Sequence, residues 1–369
     1  MTAAVRRWCV GLLAIVLVLL GTARPASADA VRDRQWHLAA LGIAQAQHIS
    51  QGEGVVVGLP DTGVDIKHAE LSGAVLPGKG FGEGNDNDGR ADYVGHGTSM
   101  AGLIAGRGLP NGGGALGIAP KAMILPMKTL KSDDGLGVPA LLAAGIDWAV
   151  EHSAKVICIA AVTGEDAAVR SAVERALRAD VVVVAGVGNT PDNTTVGFPA
   201  RLPGVLAVGG SDRDGGHAPI SATGPEMMVA APAVDIVSTR PNGRYAAASG
   251  TSDATAIVSG VVALVRAKYP GLSAAEVVHR ITATATDKGK PGRDDEFGFG
   301  IVNPVAALTA DVAPASSSAG VAEVAASPSA AGVSAAGGSS AAVVVAGGVG
   351  VVLVLVAVGV WAIRRRARE

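Results

Sequence analysis

A three-layer, doubly wound α/β domain with a mostly parallel sheet is the fold this sequence predicts, and three observations predict it. Short β-branched runs are apolar throughout instead of alternating, as strands covered on both faces must be. Longer stretches with helical patterning separate those runs. Between two strongly apolar ends, residues 29–310 are enough for one large domain.

The N-terminal end reads as a secretory signal peptide over residues 1–28. Arg6 and Arg7 precede an apolar run over 10–20, then Pro25 and the small-residue cleavage pattern Ala26-Ser27-Ala28. The arginine pair fits either a general secretory or a twin-arginine signal. Cys9 leaves with this segment, so the mature chain keeps only Cys158 and has no internal disulfide. The segment 31–52 is too short for a separate folding prodomain and is expected to stay attached and pack on the domain, with Trp36 and Leu38 as apolar anchors.

Within 29–310, strands are expected at 54–59, 122–128, 156–161, 181–185 and 205–208. Helices fit between them, notably 139–152 and 167–179. A later helix should begin near Ser252 and stop at Lys268, before Pro270. Ser273 with Glu276 three residues on forms a capping box for the next helix, which should end before Asp287.

Residues 311–340 are mostly Ala, Ser, Gly, Val and Pro, too poor in large apolar side chains to bury a core, and read as a tether. Residues 341–363 form an uninterrupted apolar run, long enough to cross a hydrocarbon core of about 30 Å as a helix. Arg364, Arg365, Arg366 and Arg368 follow within the tail 364–369, which places that tail in the cytoplasm and the domain outside. The expected location is therefore the cell membrane, crossed once. Thirty basic and 32 acidic residues give a net charge of −2, so no long-range field favours nucleic acid.

In doubly wound sheets, ligands bind beyond the C-terminal strand ends. Four candidate residues fall there. Asp61 follows the first strand in Asp61-Thr62-Gly63; His96 opens a helix in Gly95-His96-Gly97-Thr98; Asn189 follows the strand 181–185; Ser252 opens a helix in Gly250-Thr251-Ser252. Taken singly, each fits a turn or helix cap. Their order, Asp then His then Ser, is that of one known catalytic triad.

These segments resemble the motifs of the subtilisin-like serine proteases, the subtilases. The aspartate motif is Gly54 through Asp65, the histidine motif Gly95-His96-Gly97-Thr98-Ser99-Met100-Ala101-Gly102, and the serine motif Gly250-Thr251-Ser252 with Ala254, Val258 and Gly260. Phe198-Pro199-Ala200 and Phe297-Gly298-Phe299-Gly300-Ile301-Val302-Asn303 also resemble subtilase segments. A narrower resemblance is to the mycosins, membrane-anchored subtilases associated with type VII secretion. It rests on Arg34 to Leu38, Ser50 to Gly54, the asparagine-and-aspartate loop before His96 and the C-terminal anchor. The mycosins' extracellular disulfides have no counterpart here.

The resemblance implies an endopeptidase in which Ser252 attacks the scissile carbonyl, His96 takes and returns the proton, and Asp61 holds the imidazole. It also implies that the Asn189 amide and the Ser252 N–H stabilise the oxyanion. No metal or organic cofactor is needed for this chemistry. The loop Asn85-Asp86-Asn87-Asp88-Gly89 reads as a solvated turn or a calcium loop lacking the later bidentate glutamate.

An extended polypeptide substrate would pair with Ala160-Ala161-Val162 and with Gly135-Leu136-Gly137. The first of these edges departs from the family pattern. So does Asp253, which stands where subtilases usually carry methionine, and Ala256, which replaces a proline. Those departures keep a second reading open, that of a catalytically impaired subtilase serving as a peptide-binding or secretion-complex scaffold. Type VII secretion components are the partners that the mycosin resemblance implies.

Overall fold

The computed structural model describes residues 26–81, 88–110, 112–131 and 137–313. Most of the expected signal peptide, the tether beyond 313, the apolar span 341–363 and the basic tail lie outside the described residues. Among the described residues, no helix is long and apolar enough to cross a membrane.

Seven strands form the main sheet: β1 (Val56–Asp61), β2 (Lys79–Gly80), β3 (Met123–Lys128), β4 (Val156–Ile159), β5 (Val182–Gly186), β6 (Leu206–Ser211) and β7 (Val229–Pro232). Their order is β2-β3-β1-β4-β5-β6-β7, and every pairing is parallel. The expected doubly wound sheet is present. Its strands alternate between two cores, so neither face is polar. In β4, Val156 and Cys158 join one core while Ile157 and Ile159 join the other, and Val184 and Val183 of β5 divide likewise.

Two helices fill the first core, α4 (His96–Ala105) and α7 (Thr251–Lys268). From Ala254 to Val265, α7 exposes almost nothing, so it is a central helix without a solvent face. The second core is closed by α5 (Pro139–Glu151) and α6 (Ala167–Arg178), whose Leu142, Ile146, Val169 and Val173 meet the sheet. The helix α8 (Ala274–Ala283) starts with the expected capping box, Ser273 accepting from the Glu276 amide and Glu276 from the Ser273 amide.

Strand limits differ from the sequence expectation by at most three residues. Gly54 takes a φ of 75° and belongs to a turn, so β1 starts later and carries Asp61 as its last residue. The strand β4 ends at Ile159, so residues 160–162 lie beyond it. An antiparallel hairpin, β8 (Ile236–Arg240) with β9 (Arg244–Ala248), was not anticipated: Arg-Tyr-Ala-Ala-Ala in β9 has little intrinsic strand preference.

The N-terminal helices are α1 (Ala26–Arg34), which runs across the expected cleavage point, α2 (Trp36–Ala40) and α3 (Ile43–Ile49), and the stretch 31–52 packs on the domain, as expected. Trp36 and Leu38 are half-buried, and the Trp36 indole donates to the Val234 carbonyl at 3.1 Å. The deeper anchors are polar. Gln35 donates to the Leu116 and Val237 carbonyls and accepts from the Leu116 amide, and His37 is fully buried beside it in sequence.

Candidate active site

The C-terminal end of β1 delivers Asp61, and the first residue of α4 is His96. The Nδ1–H of His96 donates to both Asp61 oxygens, at 2.8 and 2.9 Å, and the Thr62 amide donates to Oδ1 at 2.7 Å. Such close approach depends on glycine. A Cβ on Gly97 would lie 2.1 Å from the Gly63 carbonyl oxygen and 3.1 Å from Asp61 Oδ1, and Gly95 enters the helix at a φ of 107°, which other residues rarely adopt.

Burial alone would make the His96 imidazolium costly, but the Asp61 charge and hydrogen bond outweigh it and raise the imidazole above its ordinary range. This is the environment a general base needs in order to hold the proton it takes from a nucleophile.

Asp92, which sequence reasoning passed over, organises this junction. Its buried carboxylate accepts from the Val94, Gly95 and Thr98 amides and from the Thr62 and Thr98 hydroxyls, while the Gly97 amide donates to Thr62 Oγ1. The strand bearing Asp61 and the helix bearing His96 are thereby tied through one side chain. An aspartate shortly before a helix start is a capping pattern and was the only available signal. Asp92→Ala should leave several donors unpaired, lower unfolding stability by about 3 kcal/mol or more and reduce any turnover; denaturant melts and kcat on a peptide substrate check both.

Ser252 lies at the second position of α7 and is half-buried. With His96, Asn189 and the edge Ala160, Ala161 and Val162, it lines one cavity of about 180 Å³. No hydrogen bond joins Ser252 to the imidazole in this structure. Asn189 Oδ1 accepts from the amide and hydroxyl of Thr251 at 2.9 and 3.1 Å, which fixes the amide plane and leaves the Nδ2 donors on the other side. Thr251 is thus a second residue that sequence reading missed, since its role appears only once the two loops meet.

The two expected substrate edges fare differently. Ala160, Ala161 and Val162 line the cavity, whereas Gly137 does not; its amide donates to the Val162 carbonyl at 2.9 Å, so that N–H is already engaged. Gly135 and Leu136 lie outside the described residues. So do residues 85–87 of the asparagine-and-aspartate loop, while Asp88 at its end is ion-paired with Arg90. Among the described residues, no group of three His, Cys, Asp or Glu side chains could hold a metal ion. Cys158 is fully buried, and burial pushes its thiol up to about 12, so it packs as an apolar residue.

Residues 52–300 match the family model described as the subtilase family. Subtilisin DY of Bacillus licheniformis is 38% identical over 266 residues, which cover 70% of this chain and 92% of that protein. Among solved structures, that of MycP1 with its N-terminal propeptide removed is 29% identical with a TM-score of 0.67, covering 76% of this chain and 98% of its own. The MycP3 protease from the type VII (ESX-3) secretion system is 32% identical with a TM-score of 0.66, covering 75% and 88%.

Proposed function

Since this chain belongs to the subtilase family of serine proteases, we propose that it is an extracytoplasmic endopeptidase anchored in the membrane by residues 341–363, and that it works through Asp61, His96 and Ser252. The observation that carries this reading is the buried pair formed by His96 Nδ1 and both Asp61 oxygens, opening on the cavity that Ser252 shares. A structural role needs no such imidazole at the mouth of a cleft.

In the proposed reaction an extended peptide lies along Ala160 to Val162 and presents its carbonyl to Ser252 Oγ. The hydroxyl proton passes to His96 as the C–O bond forms, and Asp61 stabilises the resulting imidazolium. The Ser252 amide and Asn189 Nδ2 receive the oxyanion. His96 then gives the proton to the leaving amine, and water attacks the acyl-enzyme by the reverse path. Fluorophosphonate should label the protein, with the label mapping to the peptide that carries Ser252.

Likeness to MycP3, a protease from the type VII (ESX-3) secretion system, supports association with such a machine, with extended polypeptides as the substrate class. The expected topology predicts that protease added to spheroplasts removes the domain and spares a tag placed after Glu369; loss of the tag would reverse the orientation. One observation favours the scaffold reading instead: Asp253, buried beside the nucleophile, brings a carboxylate to a site that must stabilise negative charge. Probe labelling separates the two readings, because a scaffold has no activated serine.

A further inference from the structure

Asp253 follows the nucleophile directly and occupies the first turn of α7, yet its side chain is not spent on capping. It is 1% exposed, its Oδ1 is buried without a hydrogen-bond partner, and it lines the same cavity as His96, Ser252 and Asn189. A buried carboxylate with no partner is costly to keep in a fold. Two groups of opposite charge face it, the His96 imidazolium when it forms and the Arg240 guanidinium of β8. Arg240 lines the cavity too, but no ion pair joins it to Asp253 among the described residues.

Resting on the peptidase reading above, we propose that Asp253 is a positioning residue for His96: a second carboxylate that acts by charge on the imidazolium formed during turnover, in addition to Asp61. The groups facing the imidazole are few. Asp61 of β1 holds it by hydrogen bonds, and Asp253 of α7 and Arg240 of β8 line the same cavity. Asp92 holds the helix start through the Thr98 and Gly95 amides, Asp192 lines the outer cavity, and Cys158 behind the site stays a neutral thiol.

The sign of the effect follows from that arrangement. A negative Asp253 favours protonated His96, as Asp61 does, whereas Arg240 opposes it. Burial in turn pushes the Asp253 carboxyl up to about 7, against the pull of His96 and Arg240. Without the carboxylate, His96 loses its proton at lower pH.

The test is the pH dependence of kcat/KM on a short peptide, and of the rate of fluorophosphonate inactivation, for wild type, Asp253→Asn and Asp253→Met. In both variants the acid limb should move to lower pH, by about 1 on the pH scale, with an unchanged or higher melting temperature. Arg240→Gln, a change at a half-exposed side chain, should move the limb the other way and serves if the Asp253 variants fail to fold. Limbs that coincide with wild type in the Asp253 variants, or an Arg240→Gln limb that stays put or moves downward, overturn the proposal while leaving the peptidase reading intact. A wild type that never labels at Ser252 at any pH overturns that reading, and the proposal with it.

Discussion

Ser252→Ala is expected to abolish fluorophosphonate labelling and to lower kcat on a peptide substrate by on the order of 10⁶, with the fold unchanged. The hydroxyl is the only atom removed, and it accepts and donates no hydrogen bond that holds α7 in place; Thr251 and Asn189 secure that helix start. Stability should therefore change by less than about 1 kcal/mol, which separates loss of chemistry from loss of structure. Labelling that persists at wild-type rate in the variant would remove Ser252 from the mechanism.

Asp61→Asn should come next in size, with a fall in kcat of about 10⁴. Both Asp61 oxygens now receive the proton of His96 Nδ1, and the Thr62 amide donates to one of them. An amide in that place can accept through only one atom. If its oxygen keeps the Thr62 bond, its NH₂ faces Nδ1 and forces the proton onto the ring nitrogen that must accept from Ser252. The variant also lacks the charge that raises His96, so its residual activity should persist to lower pH than wild type. Measurement of kcat against pH, with circular dichroism to establish an intact fold, checks both; a variant within tenfold of wild type would show that Asp61 does not set the tautomer.

The residues of the site were legible where glycine marks them. Asp61, His96 and Ser252 each lie within two residues of a glycine, and at Gly97 any side chain would collide with the Gly63 carbonyl. Asp92 and Thr251 were missed for another reason: what makes each matter is one distant polar partner, Thr62 for Asp92 and Asn189 for Thr251, and no periodicity in the chain announces such a meeting. Five of the seven strands of the sheet were readable from their apolar runs, because strands such as β4 and β5 feed both cores in turn, whereas β2 and β7 were not expected. The β8–β9 hairpin was not, since packing against α4 and the N-terminal segment, not residue preference, makes it a sheet. The resting environment of Asp253 was equally invisible, for a carboxylate in a helical first turn ordinarily faces water.

The Gln35 anchor has a consequence for how the molecule assembles. Its amide bonds the carbonyl of Val237, 202 residues later in the chain. A segment made first thus waits for one of the last hairpins before it can seat. Contacts of such sequence separation raise contact order and slow folding. During synthesis, the early helices emerge long before their partners do, and they spend that interval without the contacts that seat them.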